Sequence, residues 1–315
     1  MKIVIVTPAA SGSHHGNRHT AARWATLLRG LGHHVRVALA WDGTPADLMI
    51  ALHARRSHDP ASRFAADHPD RPLILVLTGT DLYRDIRRDA SAQDSMRLAT
   101  RLVVLQEQGC AELASDLRRK CRVIYQSAPT ATPPPALKRC FEVVVSGHLR
   151  EEKDPFRAAM AAARLPPESR IRITHIGAAM SAEMERAARS WAAREPRYTW
   201  LGGVSHGKAL RLLARSRLMV ISSRMEGGAN VVSEAIAAGV PVIASRIPGN
   251  IGMLGRRYAG YYPVEDERAL ARLLWRVESE PEFYRTLRSQ CRSRRALVTP
   301  RSERNALKIL LSEFS

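Results

Sequence analysis

The sequence predicts an α/β protein built on parallel sheets and divided into two halves. Short apolar runs alternate with amphipathic stretches along the whole chain, the rhythm of strands joined by helical crossovers. A stretch rich in proline, Thr130-Ala-Thr-Pro-Pro-Pro-Ala136, interrupts that rhythm as a stiff, polyproline-like break. The alternation then restarts. The 315 residues suffice for two domains with cores of their own.

In the first half, strands are expected at 2–6, 35–40, 47–52, 73–77, 101–105 and 122–125, and helices near 20–31, 58–68, 91–99 and 107–117. The first run has an apolar core of only four residues before Thr7-Pro8, which suits a buried strand rather than a signal peptide. In the second half, strands are expected at 141–146, 171–176, 198–201, 218–222 and 240–245, with helices between them. A last helix over 301–314 carries an apolar face of Ala306, Ile309, Leu310 and Phe314. The organisation is therefore two Rossmann-like domains, 1–138 and 139–300, with a linker near 128–139. A C-terminal helix at 301–315 is expected to pack back toward the first domain. Two such sheets facing across a cleft bring strand ends and helix starts together there, where ligands bind. No repeat of fixed period is visible.

Composition narrows the function. Apolar content is ordinary for a globular protein, and the strongest apolar runs, such as 73–77, are too short to span a bilayer. The formal charge is +19, and only six of the 49 basic residues are lysines. The arginines are spread in short pairs and aromatics are 5%, so a solvated surface is favoured over a nucleic-acid face. Such a field also attracts an anionic small substrate. Cys110, Cys121, Cys140 and Cys291 lack a paired or metal-ligand spacing, which predicts free thiols in a reduced, cytoplasmic protein. No metal cluster is expected: His14-His15 and His33-His34 are adjacent pairs, not pairs on one helical face. A dinucleotide fingerprint, a Gly-x-Ser-x-Gly elbow and a P-loop lysine are absent, although Asp42 ends a strand where a ribose could be caught.

The most informative stretch is 222–245. Glu226 and Glu234 are separated by seven residues, with Gly227-Gly228 between them. Asn230 is the expected N-cap of a helix over 231–238, with Gly239 as its stop. The amides of Gly227, Gly228, Ala229, Asn230 and Val231 would then face an anion at a helix start. At ~1.5 Å rise per residue the two carboxylates lie at most about 12 Å apart if helical, and farther if extended. Each accepts two hydroxyl hydrogen bonds, as sugar diols require. The spacing suits a nucleotide-sugar; the competing reading is a surface turn with two solvated glutamates.

In the first half, Gly12-Ser-His-His-Gly-Asn-Arg-His-Thr20 leads from the first strand into a helix beginning near Asn17. Gly12, Gly16, Asn17 and Arg18 form a candidate anion loop, or simply a turn. Arg55 and Arg56 follow one strand, and Thr80 and Asp81 follow another. The arginine fork matches tetrahedral oxyanions; a solvated loop is the alternative.

These motifs resemble the retaining, GT-B-fold glycosyltransferases of family four. That family's pattern is Gly-Arg-Leu followed by Lys, a Ser-rich strand end, then Glu-x7-Glu with Ala-x-x-x-Gly-x-Pro-Val. Here the corresponding residues are Ser146-Gly-His-Leu-Arg-Glu-Glu-Lys153 and the stretch 222–245. The resemblance implies that Glu234 holds ribose hydroxyls and Glu226 approaches the transferred sugar. It implies that Lys153 and the 227–231 amides hold the diphosphate, and that the base stacks near Gly177 and Val204. The family's arginine is His148 here, which removes one cationic clamp unless Arg150 or Arg224 replaces it.

A finer resemblance rests on Asn17-Arg18-His-Thr-Ala-Ala-Arg-Trp24, Leu52-His-Ala-Arg-Arg-Ser57, Leu77-Thr-Gly-Thr-Asp-Leu-Tyr83, Gly147-His-Leu-Arg-Glu-Glu-Lys-Asp-Pro155 and Glu226-Gly-Gly-Ala-Asn230. Together these are similar to the selenosugar synthases of selenoneine biosynthesis. That implies transfer from UDP-N-acetylglucosamine or UDP-glucose to selenophosphate, without a cofactor, a nucleic-acid partner or a membrane span. Lys153 and the helix start would stabilise the departing diphosphate. His53 and Asp81 would serve as polar positioners or electrostatic partners, since a soft anionic nucleophile needs little general-base help; a purely structural role is the alternative for each. The rivals are another small thiol or alcohol acceptor, a UDP-sugar epimerase, and a basic nucleic-acid-binding protein.

Overall fold

The computed structural model describes residues 1–8, 16–130, 132, 134–135 and 139–314. Gly12, the pair His14-His15 and part of the proline-rich break lie outside the described residues. The chain divides into two compact units. Unit 1 comprises Met1–Gln126, Glu226–Gly228 and Pro300–Ser315; unit 2 comprises Ser127–Met225 and Ala229–Thr299.

Unit 1 holds β1 (Lys2–Val6), β2 (His34–Ala38), β3 (Leu48–Leu52), β4 (Leu73–Leu77), β5 (Arg101–Val104) and β6 (Cys121–Val123). They form one parallel sheet in the order β2-β1-β3-β4-β5-β6. Every residue of β3 and β4 is buried, as a parallel sheet covered on both faces requires. Alternation along β4 divides the core. Leu73, Leu75 and Leu77 join Trp41 and Phe64 on one face; Ile74 and Val76 join Trp24, Leu28 and Leu307 on the other.

The closing helix Pro300–Ser312 belongs to that second face through Leu307, Leu310 and Leu311. Its buried stripe includes Glu303, so the helical period excludes Ile309, which is 66% exposed. The expected apolar face is corrected accordingly. Glu303 is 1% exposed and accepts from Trp24 Nε1 at 2.8 Å and Arg23 Nε at 3.0 Å.

Unit 2 holds β7 (Phe141–Ser146), β8 (Ile171–Ile176), β9 (Tyr198–Trp200), β10 (Leu218–Ile221), β11 (Val242–Ser245) and β12 (Tyr261–Tyr262). The order is β12-β11-β10-β7-β8-β9, all parallel. The chain enters at β7, runs out to β9 and returns to β10 on the other side. In such a sheet, ligands bind beyond the strand ends at this reversal. Gly147-His148 follow β7 there, and Ser222-Ser223 follow β10. The corresponding reversal in unit 1 lies between β1 and β3, so His53 stands at its mouth.

The expected strands are present with ends shifted by up to two residues, and β12 is additional to them: its two residues carry no alternation. The expected helix over 107–117 is instead a 3₁₀ turn, Glu107–Glu112, and one α-helical turn, Ser115–Arg118. Gly109 presses on β5, where a Cβ would come within 2.8 Å of Val104 Cβ. Cys110 in that turn is joined to Cys121 of β6, with Cα atoms 6.1 Å apart. This corrects the expectation of four free thiols; Cys140 and Cys291 are the free ones. Among the described residues, no helix is long and apolar enough to cross a membrane.

Candidate functional site

The site residues of unit 2 are set by the end of β10. Ser222, 3% exposed, donates to the carbonyls of Lys153 at 3.0 Å and Asp154 at 2.9 Å. The turn Glu151–Lys153 is thereby tied to the sheet. Asp154 next to it is left-handed (φ 44°) and accepts from Arg157 Nε at 2.8 Å. Ser245 Oγ donates to the Ser223 carbonyl at 2.6 Å, and Asn250 Nδ2 reaches Ser245. Ser222 thus braces the backbone that carries Lys153, and Ser245 braces the strand end that carries Ser223.

The sequence left two arginines to replace the missing cationic clamp. Arg150 lies 3.8 Å from the Glu152 carboxylate, and Arg224 pairs with Glu151 and Glu265. His148 accepts the Ala178 amide at Nδ1, 3.1 Å away, and a ring that accepts there does not carry the second proton. All three therefore differ from a free cation.

Beyond β8, only glycine fits position 177. A Cβ there would stand 1.9 Å from the Gly147 carbonyl oxygen. Trp200 Nε1 donates to the Gly177 carbonyl at 2.8 Å, and Val204 is half-buried farther along. Beneath lies His175, whose Nδ1 is 2.8 Å from Tyr198 Oη and whose Nε2 is 3.3 Å from the Gly147 carbonyl. The carbonyl accepts only, so Nε2 carries the proton and Nδ1 accepts. Burial lowers the His175 pKa to about 4. At pH above 6.5 the ring is neutral folded and unfolded, so its stability contribution is complete. As pH falls from 6.5 toward 4, only the unfolded chain binds the proton and stability is lost, by about 3 kcal/mol in all at ~1.4 kcal/mol per pH unit. Denaturation midpoints measured from pH 7.5 to 4 should fall more steeply for the wild type than for His175→Gln.

The helix Asn230–Ala238 starts one residue earlier than expected. Ala229 is its N-cap, and no side chain caps it; Asn230 is the first helical residue, not the cap. Val231 follows in the first turn. Gly239 ends the helix with φ 74°, the stop the sequence predicted. Glu234 sits in the second turn, its side chain 14% exposed. His206 Nε2 lies 2.8 Å from Glu234 Oε1. This partner escaped sequence reading. Ser205, the N-cap of the helix His206–Arg215, signals only a helix start there, and nothing local pairs His206 with Glu234.

Glu226, Gly227 and Gly228 cluster with unit 1. A Cβ on Gly227 would lie 2.4 Å from the Thr78 carbonyl oxygen, and one on Gly228 2.5 Å from Leu105 Cβ. Both glycines are thus required by the backbone beyond β4 and β5. Gly227→Ala is expected to cost about 1–3 kcal/mol by overpacking, read as a lower denaturation midpoint. Glu226 is 8% exposed, so the solvated reading fails for it. Burial, then the carboxylates of Glu112 and Glu226, push the Tyr83 pKa up.

Beside Thr78, Asp81 is fully buried. It accepts the amides of Thr78 (2.9 Å), Gly79 (2.7 Å) and Ala54 (3.0 Å), so its oxygens serve the backbone. His53 is left-handed (φ 77°) and buried. Its Nε2 is 3.1 Å from Thr80 Oγ1, and its Nδ1 accepts the Arg56 amide at 3.3 Å. Burial lowers the His53 pKa against the pull of Asp81. Arg55 is drawn to Asp85 at 3.1 Å, while the Arg56 side chain is exposed. Gly16, Asn17 and Arg18 open the helix Gly16–Arg29. Asp42, the ribose alternative, is paired with Arg36 at 2.7 Å. Among the described residues, no group of three or more His, Cys, Asp or Glu side chains could hold a metal ion.

Solved structures of the same fold place this architecture. Anabaena HepE, in complex with UDP and glucose, is 17% identical over 100% of both chains with a TM-score of 0.79. The sucrose-phosphate synthase of Thermosynechococcus elongatus is 18% identical over 99% of this chain and 98% of its own, with a TM-score of 0.79. A glycosyltransferase of Rickettsia africae is 12% identical over 99% and 97%, with a TM-score of 0.75. The expected GT-B class of α/β fold is thereby met. No curated protein matches the sequence. The family described as glycosyl transferases group 1 matches residues 135–294, slightly more than half the chain, in the stretch that contains Lys153, the Gly177 turn and the Glu226–Glu234 pair. The chain therefore belongs to the glycosyl transferases of group 1.

Proposed function

We propose that this glycosyltransferase moves a sugar from UDP-N-acetylglucosamine or UDP-glucose to selenophosphate. Selenium attacks the anomeric carbon, the bond to UDP breaks with its electron pair leaving on the diphosphate, and water then takes the phosphoryl group as phosphate to leave a selenosugar. One observation carries the donor half. The carboxylates of Glu226 and Glu234 bracket two glycines at which a Cβ would collide with the neighbouring loops, ahead of a helix start without a side-chain cap. HepE, of the same fold, was solved with UDP-glucose. The acceptor half rests on the motifs that resemble selenosugar synthases, and the Thr80 hydroxyl beside His53 and the exposed Arg56 side chain support an anionic acceptor.

In this reading His206 occupies Glu234 Oε1 and leaves Oε2 for the ribose diol. The amides at the start of the helix Asn230–Ala238 and Lys153 receive the charge that builds on the diphosphate. The acceptor is already anionic, so the protein's main task is to hold it in line. Glu234→Ala is expected to weaken UDP binding by about 10- to 100-fold, the worth of charge-assisted hydrogen bonds, measured by titration calorimetry. The deciding experiment incubates the purified protein with UDP-N-acetylglucosamine and selenophosphate, or thiophosphate, and weighs the products. Conversion of the UDP-sugar without acceptor would identify an epimerase. A duplex-DNA shift that UDP does not compete would identify a nucleic-acid-binding protein.

A further inference from the structure

We propose that His53 is a positioning residue that commits the Thr80 hydroxyl to donating its proton to an oxyanion of the acceptor. This rests on the anionic-acceptor reading above and assigns the group that recognises it. His53 is a buried non-glycine residue at φ 77°, a conformation that persists only where its surroundings impose it. Here they do. Asp81 holds the next amide, Ala54, at 3.0 Å, and Ser57 Oγ donates to the Leu52 carbonyl at 2.7 Å. The turned backbone delivers the Arg56 amide to His53 Nδ1. Since Nδ1 accepts, the neutral ring carries its proton on Nε2. That proton faces Thr80 Oγ1 at 3.1 Å.

Thr80 Oγ1 therefore accepts from His53, and its single proton must point elsewhere. No other partner of this hydroxyl exists among the described residues, and Thr80 is half-buried rather than enclosed. A hydroxyl so committed matches an oxygen that only accepts, as on a phosphoryl or selenophosphate group. The nearest carboxylates, Asp81 and Asp85, each lie 3.9 Å from the ring and are themselves held by backbone amides or by Arg55 and Arg84. His53 thus acts through Thr80 rather than on the nucleophile.

The test uses His53→Asn, Thr80→Val, Thr80→Ser and the double variant His53→Asn/Thr80→Val. Asparagine tolerates a left-handed backbone but is too short to reach Thr80. With UDP-N-acetylglucosamine and thiophosphate, His53→Asn and Thr80→Val should each raise the acceptor KM about ten-fold, the value of one hydrogen bond to a charged group. UDP affinity should not move, Thr80→Ser should behave as the wild type, and the double variant should be no worse than either single one. An unchanged KM in folded His53→Asn, additive effects in the double variant, or an equal loss of UDP affinity would overturn the assignment while leaving the transfer reaction standing. Calorimetry with inorganic phosphate separates the two readings. A wild type that transfers nothing to thiophosphate, yet binds phosphate about ten-fold more tightly than both variants, keeps the oxyanion site and removes the proposed reaction. A wild type that neither transfers nor binds overturns both.

Discussion

Lys153→Ala is expected to lower kcat by roughly 10²–10³-fold, about 3–4 kcal/mol of transition-state stabilisation, with a much smaller change in UDP affinity. Lys153 is held through its backbone. Its carbonyl and that of Asp154 are both fixed by the buried Ser222 hydroxyl, and Arg224 N donates to the Glu152 carbonyl at 2.9 Å. A charge carried on a braced backbone needs little reorganisation when the leaving diphosphate develops its own charge. The alternatives nearby are diverted: Arg150 and Arg224 face carboxylates, and His148 accepts an amide hydrogen. Presteady-state turnover and calorimetry on the same preparation separate the two quantities. If the folded variant lost UDP affinity and kept kcat, Lys153 would be a ground-state anchor. Ser222→Ala should reproduce part of the kcat loss, since it loosens the same turn.

Glu303→Ala is expected to destabilise the protein by about 3–5 kcal/mol, because removing one partner of a buried pair leaves the others uncompensated. The carboxylate has no exposed surface and satisfies both Trp24 Nε1 and Arg23. Trp24 is itself fully buried, so its N–H would have no alternative acceptor in water. Glu303→Gln keeps an acceptor for the indole and loses the charge facing Arg23, so its loss should be smaller. Equilibrium denaturation monitored by tryptophan fluorescence checks the order wild type, Gln, Ala. An alanine variant within 1 kcal/mol of the wild type would mean that the closing helix is held by Leu307, Leu310 and Leu311 alone.

How much of the candidate site was legible varies by residue. The carboxylate spacing of Glu226 and Glu234, the glycines between them and the stop at Gly239 are local features, and local stereochemistry is written in sequence. The place of Lys153 was legible only through resemblance, because the serine that braces it lies 69 residues away. His206 was not legible at all: it meets Glu234 across 28 residues. Asn230 was misread as a cap because its residue type favours that position, whereas the extended backbone falls on Ala229.

The sequence by itself determined the two sheets, since β3, β4 and β10 are short apolar runs of the kind that a parallel sheet covered on both faces buries. It also determined the glycine turn and helix that carry the paired glutamates. Only the tertiary structure decided which distant groups meet: Cys110 with Cys121, Glu303 with Trp24, Gly227 with Thr78, and His53 with Thr80. The physical reason is range. Apolar period and backbone preference act over a few residues and are read one segment at a time. A hydrogen bond between loops depends on strand order and register, which are properties of the assembled sheet.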